Sequence, residues 1–329
     1  SVVALSLAYL GYGVWALIIG QLTNAAIFNA ALVIAARWLP GFRLSFRNIA
    51  EILKFGLRLS AVSAIGLGSP IANRALVGRF LGGPALGLFT MAETLAEAPH
   101  RISSAAIHQL SLPIFAKLQR EDAELRRYFL KITKYLALAT LPAQIGMALV
   151  AQDLVVVLLT AKWTPMVALF QLFCVGNVFY ILALPPYPLL VARGRAGTLL
   201  KFNGAAALAI ATAILLGTQV SLLAVGTAWL IVFAALKIVL LSLALREVGI
   251  TVRSYLKNIL PSIIATIVMS VTVFAARYVD VTGSVGIQRL AFEVILGASV
   301  YVAILLVVDR KLVTEVKSIV HEMFISSRA

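Results

Sequence analysis

One cysteine, Cys174, in 329 residues excludes a disulfide framework and any cysteine-built metal centre. Three histidines, at positions 100, 108 and 321, make no metal-ligand spacing, so no metal site is expected. The pattern Gly-x4-Gly-Lys-Ser/Thr is missing, which argues against ATP hydrolysis by this chain. Charge is scarce as well, with 12% charged residues and 13 acids against 28 Lys and Arg. A net charge of +15 invites a nucleic-acid partner, but such a partner needs Lys and Arg gathered on one solvated face. Here they fall in alternate loops instead. All but Arg74, Arg79, Arg101, Lys162, Arg277 and Arg289 collect on one side when loops are assigned alternately, with Lys237 placed there as lying near a helix end. That is the positive-inside pattern. It predicts no nucleic-acid partner, and it puts the C-terminus in the cytoplasm.

What the chain has is apolar length. With 61% hydrophobic residues and a mean hydropathy of +1.00, it holds more apolar surface than one soluble domain can bury. The predicted class is an all-α polytopic membrane protein, a bundle of about nine complete transmembrane helices and an N-terminal stub. The chain begins with Ser1 inside an apolar run, so the expectation is a fragment without its natural N-terminus. Phe46, Ile49, Ala50, Leu53 and Leu57 keep helical spacing among basic residues, predicting an amphipathic helix on the membrane surface. Gln152 to Pro165 reads as a short exposed loop, and Pro185-Pro186-Tyr187-Pro188 as a break in a span. Arg289 and Glu293, one turn apart, read as a surface pair.

One span is unusual. Leu86 to Lys117 is long and apolar, yet Glu93, Glu97, His100, Arg101 and His108 fall within about a 100° arc of a helix. A charge at the bilayer centre costs about 2.5–3.5 kcal/mol on insertion scales, so this stripe is expected to face a water-filled cavity or a partner. Glu97 and Arg101, one turn apart, could also simply neutralise each other inside a bundle.

Six runs carry a family resemblance: LGYGVWALIIGQL (10–22), KFGLRLS (54–60), NRALVGRFLGGPALGLFTMAE (73–93), LPIFAKLQRED (112–122), LLTAKWTPMVALFQL (158–172) and LLVARGRAG (189–197). In this order they resemble the Wzx-type oligosaccharide flippases, in the polysaccharide transport branch of the multidrug/oligosaccharidyl-lipid/polysaccharide exporter superfamily. The resemblance covers residues 1 to 200 and is weaker beyond. It implies two six-helix lobes around a central cavity, often followed by two extra helices. Counted against that pattern, 1–36 would end the N-terminal lobe and 37–58 would be a cytoplasmic amphipathic linker. Residues 59–245 would form the C-terminal six-helix lobe, and 246–329 two extra helices with a cytoplasmic tail.

The implied activity is movement of undecaprenyl-pyrophosphate-linked oligosaccharide across the bacterial cytoplasmic (inner) membrane by alternating access, for surface lipopolysaccharide or exopolysaccharide. The implied partners are that lipid-linked oligosaccharide, membrane lipids and other polysaccharide-assembly proteins. No cofactor is expected beyond H+ or Na+ coupling, for which Glu93, Glu97, His100 and His108 are candidates. Arg101 and Arg74 are candidate cations for pyrophosphate, and Arg74 could instead snorkel to the membrane surface. Asn73, Gln144, Asn177, Tyr180 and Asn203 could bind sugar hydroxyls or make interhelical hydrogen bonds. The chain departs from the family at Asn73-Arg74 and at Glu93-Thr94, where relatives often carry Asp-Asn and Tyr-Arg. Rival functions are a cation-coupled drug antiporter of the same superfamily and a membrane polymerase or glycosyltransferase. The first would prefer an acidic cavity and the second a large extramembrane loop with paired carboxylates, so no catalytic residues are assigned.

Overall fold

The computed structural model describes residues 14–36, 46–278 and 286–308, with Ser6 and Tyr9 as single positions. The chain divides into two compact units, Ser1–Lys54 and Phe55–Ala329. The first contains helix α1 (Val14–Ala36). Residues 37–45 of the expected linker and the tail after Val308 lie outside the described residues, and so does most of the stub.

From α2 onward the described order is helical throughout: α2 (Phe46–Lys117), α3 (Asp122–Leu149), α4 (Ala151–Leu159), a 3-10 turn (Ala161–Met166), α5 (Val167–Leu182), α6 (Pro186–Ala192), α7 (Ala196–Thr218), α8 (Leu222–Val248), α9 (Val252–Tyr278) and α10 (Ile287–Val308). Six described helices are long and apolar enough to cross a membrane, or seven if the pair α3 and α4, bent by 80°, is one span. The chain is a multi-pass helical membrane protein. The expected count of about nine differs because the striped span and the apolar stretch before it fall in one run, Gly56–Pro99, and because α1 stands outside the six. That run is not straight. Gly82 has φ 83 and ψ 174, a conformation open to glycine, and the Gly82-Gly83-Pro84 turn folds the two limbs of α2 together. Arg74 and Glu93 meet across the turn.

Prolines set the packing in the larger unit. A proline has no N–H, so the carbonyl four residues before it loses its helical partner. Pro142 leaves the Leu138 carbonyl open, and the Tyr301 hydroxyl of α10 donates to it at 2.8 Å. Pro186 leaves the Leu182 carbonyl open where α5 breaks before α6, and the Tyr255 hydroxyl of α9 donates to it at 2.9 Å. The break expected at the proline cluster is present, and it serves as a docking point. Tyr301→Phe is expected to cost about 1–3 kcal/mol by stranding that carbonyl. Because Pro142→Ala restores the helical N–H, Tyr301→Phe on that background is expected to cost much less. Thermal unfolding of the four proteins measures the difference, and equal losses on both backgrounds would refute the pairing.

Two expectations fail here. Gln152–Pro165 is not an exposed loop: it forms α4 and the 3-10 turn, and Asp153 is buried. Nor are Arg289 and Glu293 a surface pair, since the Glu293 side chain is 3% exposed. Arg277 of α9 bonds Glu293 at 2.9 Å, and it also bonds Asp153 and the Leu149 carbonyl. The bend between α3 and α4 brings Asp153 back into the bundle, which periodicity could not reveal.

Candidate functional site

A cavity of about 760 Å³ opens among α2, α5, α7 and α8, all within the larger unit. Its volume lies in the range of small-molecule sites. One wall is the striped limb of α2, which presents Glu93, Glu97 and Ser104 from a single face. The stripe therefore faces a cavity over its described part. The side chains of His100, Arg101 and His108 lie outside the described residues. The first limb of α2 adds Ser63, Ser69 and Asn73, and α7 adds Asn203. Asn73 Oδ1 is buried at the wall with no hydrogen-bond partner among the described residues.

Of the two candidate cations, only Arg74 can be placed. Its Nε and Nη2 lie 2.9 and 2.8 Å from Glu93 Oε2, so it is engaged with a carboxylate. The Arg74 side chain remains 39% exposed in this pair. Gln144 is wholly buried and outside the cavity lining. Its Nε2 donates to the Ala96 carbonyl at 3.0 Å, and Asn177 Nδ2 donates to the same oxygen at 2.9 Å. Asn177 still lines the cavity, so these amides join α2, α3 and α5 in the way interhelical amides do in membranes.

The sequence reading missed Lys237. It lies in the lining with Trp229, Phe233, Leu236 and Leu240, one face of α8. Its ammonium sits 5.0 Å from the centroid of Tyr180 and 4.9 Å from that of Phe233. No ion-pair partner holds it among the described residues. Phe233 stacks on Trp229 at 4.5 Å, and Trp229 meets Phe173 edge-on at 4.7 Å. The cage therefore belongs to a continuous aromatic wall. A signal was available: Lys237 precedes the end of α8 at Val248 by about 16 Å of helix, too far to be a terminal residue. Trp229, Phe233 and Lys237 also recur every fourth residue.

The cavity thus presents a caged cation, two carboxylates, three amides and an aromatic wall. Residues 1–168 match a family described as polysaccharide biosynthesis protein. The chain belongs to that family. Among its relatives, the teichuronic acid biosynthesis protein TuaB of Bacillus subtilis strain 168 is 26% identical over 82% of this chain and 56% of its own length. The lipopolysaccharide biosynthesis protein WzxC of Escherichia coli K12 is 28% identical over 62% of this chain and 42% of its own. The succinoglycan biosynthesis transport protein ExoT of Rhizobium meliloti 1021 is 22% identical over 50% and 33%. The chain thus spans about half the length of the curated relatives it matches. In fold it is similar to the lipid II flippase MurJ in an inward closed conformation, with a TM-score of 0.55 at 16% identity, over 92% of this chain and 63% of that one.

Proposed function

We propose that this family member is part of a transporter that carries undecaprenyl-pyrophosphate-linked oligosaccharide from the cytoplasmic to the periplasmic leaflet of the bacterial inner membrane, for surface polysaccharide assembly. The observation that carries the reading is Lys237, a cation held on aromatic faces in a cavity within a membrane bundle. A pyrophosphate crossing hydrocarbon needs fixed cations to replace its hydration, and charge-assisted hydrogen bonds supply that. Asn73 and Asn203 suit the hydroxyls of a sugar.

In this reading the larger unit through Val248 supplies one wall of the transport path and α9 and α10 are the extra pair, with the C-terminus cytoplasmic. Arg101 remains a second candidate cation. Glu93 and Glu97 remain the candidates for H+ or Na+ coupling, with His100 and His108 beside them. The names of the flippase and transport relatives support transport over catalysis. The test places single cysteines at Asn73, Asn203 and Glu97 in a full-length background with Cys174 replaced. Labelling by a membrane-impermeant thiol reagent, blocked by lipid-linked oligosaccharide, is the expected outcome. Sites that never meet the reagent from either side would remove the transport path.

A further inference from the structure

A second cavity, of about 320 Å³, lies away from the transport path, where the start of α7 meets the end of α8. Leu190 and Leu243 give it an apolar floor, and Arg195, Thr198, Arg246 and Glu247 form its mouth. Arg195, Thr198 and Arg246 are exposed, whereas Leu190 is buried. Glu247 holds Arg195 through two contacts of 3.3 Å, long for an arginine–carboxylate pair. Arg246 has no carboxylate partner among the described residues. Arg58 of α2 lies near the start of α7 but outside this lining: an added Cβ at Gly197 would lie 3.7 Å from its Nη1. The mouth is thus net positive, with a loosely held acid at one side and apolar surface beneath.

From this arrangement we infer a binding site for the phosphate headgroup of an anionic phospholipid, seated at the end of the bundle that carries the basic loops. Three features favour a lipid over a free anion. The floor is leucine, which a soluble phosphate would leave unfilled. The mouth combines arginines with a hydroxyl, the donors a phosphodiester accepts. The site also sits at helix ends, where a spanning helix meets the headgroup layer. The lipid phosphate bridges Arg195 and Arg246, and by doing so ties α7 to α8 below the transport cavity. Glu247 competes with that phosphate for Arg195.

The inference does not rest on transport, and its test reads binding alone. The full chain, purified in neutral detergent, is titrated with a soluble short-chain phosphatidylglycerol, and melting temperature reports an apparent Kd. Short-chain phosphatidylcholine, inorganic phosphate and inorganic pyrophosphate are titrated in parallel. The expected result is stabilisation by phosphatidylglycerol only. A basic residue near an anionic lipid contributes about fivefold in affinity, so Arg195→Ala with Arg246→Ala is expected to weaken binding about thirtyfold. Glu247→Gln is expected to tighten it, a gain that misfolding cannot mimic. Binding unchanged in the double variant, or weakened in Glu247→Gln, would overturn the site. Equal stabilisation by phosphatidylcholine, phosphate or pyrophosphate would overturn the assignment to an anionic lipid.

Discussion

On the proposed transport reading, replacing Lys237 by methionine in the full-length protein is expected to cut export of the lipid-linked oligosaccharide by about ten- to a hundredfold. That range corresponds to about 1.5–3 kcal/mol for one hydrogen bond to a charged group. Methionine keeps most of the aliphatic stem of lysine, so the change isolates the ammonium from its packing. Lys237→Arg is expected to retain part of the activity, because guanidinium also stacks on aromatic faces and donates to phosphate. The measurement is flipping of a pyrophosphate-linked sugar lipid in proteoliposomes, at matched protein levels. Export at the wild-type rate from Lys237→Met would take the cavity cation out of the mechanism. Tyr180→Ala and Phe233→Ala, which remove the two faces of the cage, are expected to move activity the same way by smaller steps.

The second large effect is on stability. Arg277 reaches from α9 to Asp153 of α4 and Glu293 of α10, and both carboxylates are 3% exposed. Arg289 adds a bond of 3.1 Å to Glu293. Removing one partner from a buried ion pair typically costs about 3–5 kcal/mol, because the remaining charge stays buried without compensation. Arg277→Met is therefore expected to unfold the junction of α4, α9 and α10, seen as a large drop in melting temperature and in membrane level. Neutralising the carboxylates at the same time, with Asp153→Asn and Glu293→Gln, is expected to recover most of that loss. A triple variant no more stable than Arg277→Met alone would mean that the cluster acts through shape rather than charge.

Much of this molecule could be read from residue order. Apolar length fixed the class, since a backbone in hydrocarbon must satisfy its own hydrogen bonds and a helix does so within one segment. The break at Pro185-Pro186 followed from missing N–H groups. The face shared by Glu93 and Glu97 followed from the helical repeat, and that face lines the cavity. Arg74 was legible as a candidate cation, but its partner was not, because Glu93 comes within reach only after the Gly82 turn closes.

Periodicity places residues on the face of one helix, and it carries no information on which faces of different helices meet. Only the tertiary structure could therefore set Lys237 over Tyr180, a helix away, or turn Gln144 from the cavity toward the Ala96 carbonyl. The same holds for Asp153, which an 80° bend carries from an apparent loop to a buried charge cluster. The sequence by itself determined the membrane class, the break at the proline cluster and the family. The tertiary structure decided which polar groups face water and which are used to hold helices together, because a buried donor binds whichever carbonyl the neighbouring helix leaves open.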